Sequence, residues 1–325
     1  MQRVALVLER DVVAPYKCRL SKALNLPKVQ VVAVMMMPNK ISPATETQVM
    51  TRKSVLITGC SSGIGRCTAE MLKARGYRVF ATARNPEDVS ELQAAGFDAL
   101  MLDLRDHTTI RAVVDTVLEQ TGGQLYGLFN NGAYGQPGAV EDLSVDALRL
   151  QFETNFFGTH ELTRLVIPIM RRQGEGRIIQ NSSVLGFAAM KYRGAYNASK
   201  FALEGLTDTL RLELRGSGVH VSLIEPGPIA SRFRDNAMRQ YQAHIEPSGS
   251  PHEAKYTAIE ARLTQPGPAA PFTEGPESVG RRVIHALEAR RPQVRYYVTF
   301  PTYLFGTLKR LLPSRTMDWI LNKVE

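Results

Sequence analysis

Strands and helical stretches alternate along this chain with a regularity that leaves few folds open to it. Mostly apolar runs at 55–58, 78–83, 99–103, 125–130, 177–182 and 219–224 read as strands, with 295–298 as a seventh. Between them, 63–75, 88–95, 106–120, 148–172 and 196–215 read as helices, the first two stopped by Gly76 and Gly96. Strands separated by long helical patterns make βαβ units and a parallel sheet. The runs are nearly all apolar rather than alternating, as expected when helices cover both faces. The expected fold class is therefore α/β, a doubly wound parallel sheet forming one domain over 51–299. Ligands of such a sheet sit at the carboxyl ends of its strands.

The flanks read differently. Residues 1–50 pair with no neighbouring pattern and are expected to be a dispensable extension; Met50 stands before the first strand as a natural start would. Residues 232–272 or so, ending in a proline-rich stretch, read as a mobile lid over substrate. Residues 300–325 form an amphipathic helical tail. Tyr303, Leu304, Phe305, Leu308, Leu311 and Trp319 lie among Lys309, Arg310 and Lys323. Large apolar groups beside cations suit peripheral contact with a membrane surface or a partner subunit, as well as closure of the substrate pocket. The alternative is an ordinary helix packed on the domain's own core.

Composition narrows the classes of function. Of 325 residues 44% are apolar, enough for a substantial core. The net charge of +9 is scattered, with no basic helix interleaved with aromatics, so a basic surface over an anionic cofactor is expected and nucleic acid is not. Three cysteines, Cys18, Cys60 and Cys67, make no disulfide framework and match no zinc spacing, so no metal is expected. No run of 18 apolar residues exists, and the first residues are too quickly charged for a secretory signal, so the expected location is cytoplasmic. A homo-oligomer is open to such a chain.

Two motifs carry chemistry. The first is Thr58-Gly59-Cys60-Ser61-Ser62-Gly63-Ile64-Gly65, between the first strand and first helix. Its glycines remove side chains where backbone must approach a diphosphate, and the helix start offers N–H groups and a positive dipole end. Gly59, Ser61, Ser62, Gly63, Ile64 and Gly65 are thus read as cofactor contacts. The second strand ends in Arg84 without a carboxylate before Glu87. A carboxylate there would bind a ribose 2′-hydroxyl, whereas a guanidinium can fork onto a 2′-phosphate, so NADP(H) is the expected cofactor. Arg66 is a second candidate cation. The second motif is Tyr196-Asn197-Ala198-Ser199-Lys200, whose i,i+4 spacing puts phenol and ammonium on one helix face. A phenol is a poor acid–base group near neutrality, so the neighbouring lysine and an oxidised nicotinamide are expected to lower its pKa.

With Ser183 thirteen residues before Tyr196, and with the T-G-x-x-x-G-x-G turn, the chain resembles the short-chain dehydrogenase/reductase family over roughly 54–231. The resemblance implies a Rossmann-type fold and a small-molecule carbonyl or alcohol substrate. It makes Ser183 the group that holds the substrate oxygen, and Asn155 the support of a proton-relay water near Lys200. It gives Asp103 and Leu104 the adenine edge, and Asn130 the ribose side, where Gly132-Ala133 reverses the family's usual order. Pro226, Gly227 and Ile229 would meet the nicotinamide, and Ser231 would replace the usual threonine at its carboxamide. Several strings, Asn155-Phe156-Phe157-Gly158 among them, are similar to a bacterial NADP-dependent aldehyde reductase branch, which implies aldehyde reduction with Tyr196 as the acid. Steroid and retinoid dehydrogenases share some of these strings and are the near alternative. A cofactor-binding regulator without turnover would have lost Ser183, Tyr196 or Lys200.

Overall fold

The structure is a computed structural model that describes residues 52–268 and 270–323. The expected extension at 1–50 lies outside the described residues. Seven strands make one parallel sheet: β1 (Ser54–Ile57), β2 (Arg78–Ala83), β3 (Asp98–Met101), β4 (Gly127–Asn130), β5 (Gly176–Asn181), β6 (Val219–Pro226) and β7 (Arg295–Val298). Their order is β3-β2-β1-β4-β5-β6-β7, and every pairing is parallel. The chain winds outward from β1 in one direction, then returns and builds in the other from β4. The crevice at that switch, beyond the ends of β1 and β4, is where such a sheet binds ligands.

The strands look uniformly apolar because both faces are buried. Val55 and Ile57 of β1 face one core with Val79 and Ala81 of β2. Leu56 and Phe80 face the other. The first core is roofed by α1 (Gly63–Ala74), α2 (Pro86–Ala94) and the later helix at Glu277–Glu288. The second is roofed by α3 (His107–Thr121) and by the helix at Thr159–Gln173. Burial of side chains of this size stabilises by about 1.5–3 kcal/mol each.

The single long helix expected over 148–172 is corrected. The chain forms α4 (Val145–Phe152), then a π-helical turn at Glu153–Gly158, and only then α5 (Thr159–Gln173). The widened turn docks against Leu104, three residues after β3: a Cβ on Gly158 would lie 1.8 Å from the Leu104 carbonyl oxygen. Turns of this kind interrupt helices at functional positions, and this one carries Asn155.

Downstream, α6 (Gly194–Glu213) carries the Tyr-Lys motif. The expected lid folds into α7 (Phe233–His244) and α8 (Glu253–Thr264), with a small core of its own around Tyr241, Ile245, Tyr256 and Leu263. After α9 (Glu277–Glu288) and β7, the tail forms α10 (Phe300–Leu311) and α11 (Ser314–Leu321). Phe305 and Met317 pack against Val184 and Leu185 of the loop after β5, so the tail takes its place on the domain's own core. Tyr303, Leu311 and Trp319 stay exposed. No described helix is long and apolar enough to cross a membrane.

The π-turn and Leu104 share one tight contact, so Gly158→Ala should overpack it by about 1–3 kcal/mol. A fall of several degrees in Tm is expected by thermal unfolding. An unchanged midpoint would mean that the Leu104 backbone yields freely.

Candidate active site

The glycine turn is built for close approach. Gly59 has φ +72°, a left-handed conformation that glycine adopts without strain, and a Cβ on Gly65 would lie 2.1 Å from the Gly59 carbonyl oxygen. Ser62 stands at the N-cap of α1 but makes no side-chain cap, and the first turn holds no acid. By contrast, Asp106 caps α3 and Ser144 caps α4. Ser61 and the N-cap Ser62 line a cleft of about 700 Å³ together with Arg84, Asp103 and Leu104, and the first residues of α1, Gly63 and Ile64, line the cavity that adjoins it. A helix start with free donors and no competing carboxylate fits the diphosphate of a dinucleotide.

Arg84 is exposed at the rim of this cleft and has no ion-pair or hydrogen-bond partner among the described residues. Arg105, which the sequence reading passed over, lines the same cleft and pairs with Asp103 at 2.9 Å. Burial alone would raise the Asp103 carboxyl, but the Arg105 side chain and amide hold it below the ordinary value. Arg66 turns away: its Nε donates to Glu70 at 2.6 Å, and it does not line the cleft.

Hydrogen bonds carry the turn across to the catalytic helix. Thr58 Oγ1 accepts from the amides of Asn131 at 2.9 Å and Gly132 at 2.8 Å. Asn131 Nδ2 donates to the carbonyls of Thr58 and Gly59, and its Oδ1 accepts from Asn181 Nδ2 at 3.0 Å. The expected Asn130 sits one layer below, donating to Thr163 Oγ1 at 2.8 Å. Alternation along a strand explains the exchange: of two adjacent asparagines only one side chain can face the turn.

A second cavity, of about 1440 Å³, adjoins the turn and holds Ser183, Tyr196, Lys200, Gly227 and Ile229 along its lining. The structure thus brings together the serine after β5, the tyrosine and lysine of α6, and the Pro226-Gly227 loop after β6. Ser183 Oγ approaches the Pro226 carbonyl at 3.5 Å and accepts from the Leu185 amide. Ser231 comes against the glycine turn, where a Cβ on Gly63 would lie 2.8 Å from its Cβ. Met190, Tyr192 and Phe233 line the cavity, and Phe233 meets the Tyr196 ring edge-on at 5.4 Å.

Asn155 is closed off from the cavity. Its Nδ2 donates to the Tyr134 carbonyl at 2.9 Å and to Ser199 Oγ at 3.2 Å, and its Oδ1 accepts from the Tyr134 amide. Its side chain therefore fixes the loop after β4, and any relay role would fall to its main chain.

The expected lowering of the Tyr196 pKa draws on Lys200 and an oxidised nicotinamide together; the protein's groups alone act in the opposite direction. The Tyr196 phenol is pushed up to about 12 by burial, against the pull of the Ser183 hydroxyl and the Arg193 charge. Lys200 is pushed down to about 8, also by burial, with Glu204 opposing. Its Nζ donates to the Asn181 carbonyl at 2.7 Å and lies 5.7 Å from the centre of the Tyr196 ring. The protein's own groups thus keep the phenol neutral, because desolvation outweighs a cation held at that separation.

Behind Lys200 lies a buried ionic cluster that the sequence reading missed. Arg295 pairs with Glu204 and Glu225, and with Asp208 at 2.6 Å. Burial, then repulsion from Glu204, pushes Glu225 up to about 8. A glutamate directly after the strand run 219–224, and another four residues after Lys200, were the available signals.

The profile of the short chain dehydrogenase family matches residues 53–242. The oxidoreductase YbbO of Escherichia coli strain K12 is 45% identical over 270 residues, covering 83% of this chain and 94% of that protein. Human retinol dehydrogenase 8 is 32% identical over 278 residues, covering 82% and 87%. A short chain dehydrogenase/reductase from Burkholderia phymatum, solved in complex with NAD, shares the fold with a TM-score of 0.67 at 28% identity, covering 83% and 95%.

Proposed function

This chain belongs to the short-chain dehydrogenase/reductase family of oxidoreductases, and we propose that it reduces an aldehyde or ketone to the alcohol with NADPH, Tyr196 acting as the general acid. The observation that carries the reading is the gathering of Ser183, Tyr196 and Lys200 along one cavity that the glycine turn also lines. The Tyr196 phenol, pushed up to about 12 by burial, is protonated at neutral pH as a free phenol is, the form that can donate. When bound, a reduced nicotinamide cofactor supplies hydride. The residues account for the rest. Ser183 holds the carbonyl oxygen as negative charge develops on it. Tyr196 gives that oxygen its proton, and Lys200, four residues on along α6, offers its ammonium to the phenolate left behind. Asn131 and Asn181 hold the glycine turn and Lys200 in register.

The preference for NADPH rests on Arg84, an exposed guanidinium at the rim of the cleft with no hydrogen-bond or ion-pair partner among the described residues, with Arg105 nearby. A second reading, turnover of a retinoid- or steroid-sized alcohol, draws on the likeness to retinol dehydrogenase 8 and on a cavity of about 1440 Å³.

Tyr196→Phe should lower kcat by about 10²–10⁴-fold while NADPH affinity, read by fluorescence titration, stays within a few-fold. A variant that keeps most of its kcat removes Tyr196 as the acid. Arg84→Ala should weaken NADPH by about ten- to hundredfold, the cost of a charge-assisted phosphate contact, with NADH little changed. Equal losses for both cofactors would separate Arg84 from the 2′-phosphate. The pH profile follows from the two directions. Lys200 loses its ammonium as pH rises through about 8, while the phenol, at about 12, stays protonated. Reductive kcat/KM should therefore fall above pH 8, and a profile flat from pH 6 to 10 would contradict the role given to Lys200.

A further inference from the structure

The larger cavity is lined by several cations. Its lining carries lysine and arginine side chains but no aspartate or glutamate among the described residues. Several of these cations have visible partners. Lys200 donates to the Asn181 carbonyl, Arg232 to the Ser61 carbonyl at 3.0 Å, and Arg234 to the carbonyls of Arg262 and Gln265. Lys323 lies 3.9 Å from the centre of the Trp319 ring.

Two cations differ. Arg193, at the start of α6 one turn before Tyr196, and Arg262, on α8 of the lid, are both half-buried and both line the cavity. The side chain of neither makes a hydrogen bond or ion pair with any described residue. Their charges also bear on each other: burial first, then repulsion from Arg262, pushes Arg193 down to about 10. Guanidiniums taken out of water are ordinarily paired with carboxylates. Two that face a common cavity with like charge and no counterion form half of an ion-binding site.

We propose that Arg193 and Arg262 together bind the anionic group of the substrate, so that this enzyme favours carbonyl compounds bearing a carboxylate or a similar acid. This rests on the reading of the cavity as the carbonyl-reducing site. The arginines come from the catalytic helix and from the lid, so an acid group between them ties the lid to α6. Arg193 stands at the N-cap of α6 three residues before Tyr196, and both line the cavity, so the acid group would lie at the same end of α6 as the reacting phenol. The apolar residues Met190, Ile259 and Leu304 line the same cavity and would hold the carbon chain.

The test uses the full chain and eight-carbon probes. Octanoate and octanamide are titrated calorimetrically into the wild type, Arg193→Gln and Arg262→Gln. The wild type is expected to bind octanoate about tenfold or more tightly than octanamide, as a charge-assisted contact requires. Each variant should lose that advantage. Equal affinity for the two probes, binding of neither, or an advantage that survives in both variants would overturn the proposal. A fall in NADPH affinity in place of the octanoate advantage would assign the arginines to the cofactor and overturn it too. In a second arm, kcat/KM for 8-oxooctanoate is compared with that for octanal, and a ratio of at least ten, collapsing in the variants, is expected. Charge-selective binding without reduction of either aldehyde would keep the anion site and take straight-chain aldehydes out of the reductase reading. Reduction of octanal without preference for the acid would keep the reductase and end the anion site.

Discussion

One chain of hydrogen bonds holds the functional end of this molecule together. It runs from Thr58 at the end of β1, through Asn131 after β4 and Asn181 at the end of β5, to the ammonium of Lys200 on α6. Three parallel strands deliver these groups to the same edge of the sheet, and none of the four is near the others in sequence. The cofactor turn is anchored directly, since Asn131 donates to the carbonyl of Gly59. Every member is buried or half-buried, so an unmade link would leave a polar group without its partner at a cost of about 1–3 kcal/mol. The sheet order thus decides which polar residues meet, and the polar residues decide where backbone and catalytic side chains stand.

The same burial sets the chemistry. Taking Tyr196 and Lys200 out of water disfavours the charged form of each, so the phenol holds its proton more tightly and the lysine less so. On the proposed reading, the pair serves as a proton donor and a supporting cation, the latter titrating near 8. The carboxylates behind Lys200 work within this balance. Glu204 favours the ammonium, and Arg295 ties Glu204 and Glu225 to β7. Desolvated charges of this kind are tolerated when each finds a counter-charge, which makes the bare guanidiniums of Arg193 and Arg262 stand out against the rest of the interior.

Much of the fold was legible because its signals are local or periodic. The all-apolar strands announce a two-faced sheet, the glycine turn marks the first strand–helix junction, and the spacing from Ser183 to Tyr196 and Lys200 survives as a linear pattern. The misses share a physical reason. The π-turn at Glu153–Gly158 adds one residue to a helix, a change of period too small to read over six residues. Whether Asn130 or Asn131 faces the turn depends on a single-residue register, which composition does not encode. The direction of the Tyr196 shift depends on how deeply the phenol is buried and on where the Lys200 ammonium points. Arg295 and Arg193 lie far in sequence from the carboxylates and from the lid they meet or lack, so only the folded chain shows that one is paired and the other is not. The tail read as amphipathic in the sequence. Its inner face is settled by Phe305 and Met317 on the loop after β5.

Carbonyl reduction with NADPH, by the Tyr196 phenol beside the Arg84 cleft, is the proposed activity on which the rest depends. The most direct measurement is NADPH oxidation by the purified full chain, followed spectrophotometrically against a panel of aldehydes, ketones and steroids, with NADH as the control. The account predicts carbonyl-dependent oxidation of NADPH by at least one aldehyde or ketone, with NADH at least tenfold poorer in kcat/KM. Oxidation of NADPH by no member of the panel, or equal use of NADH, would contradict it.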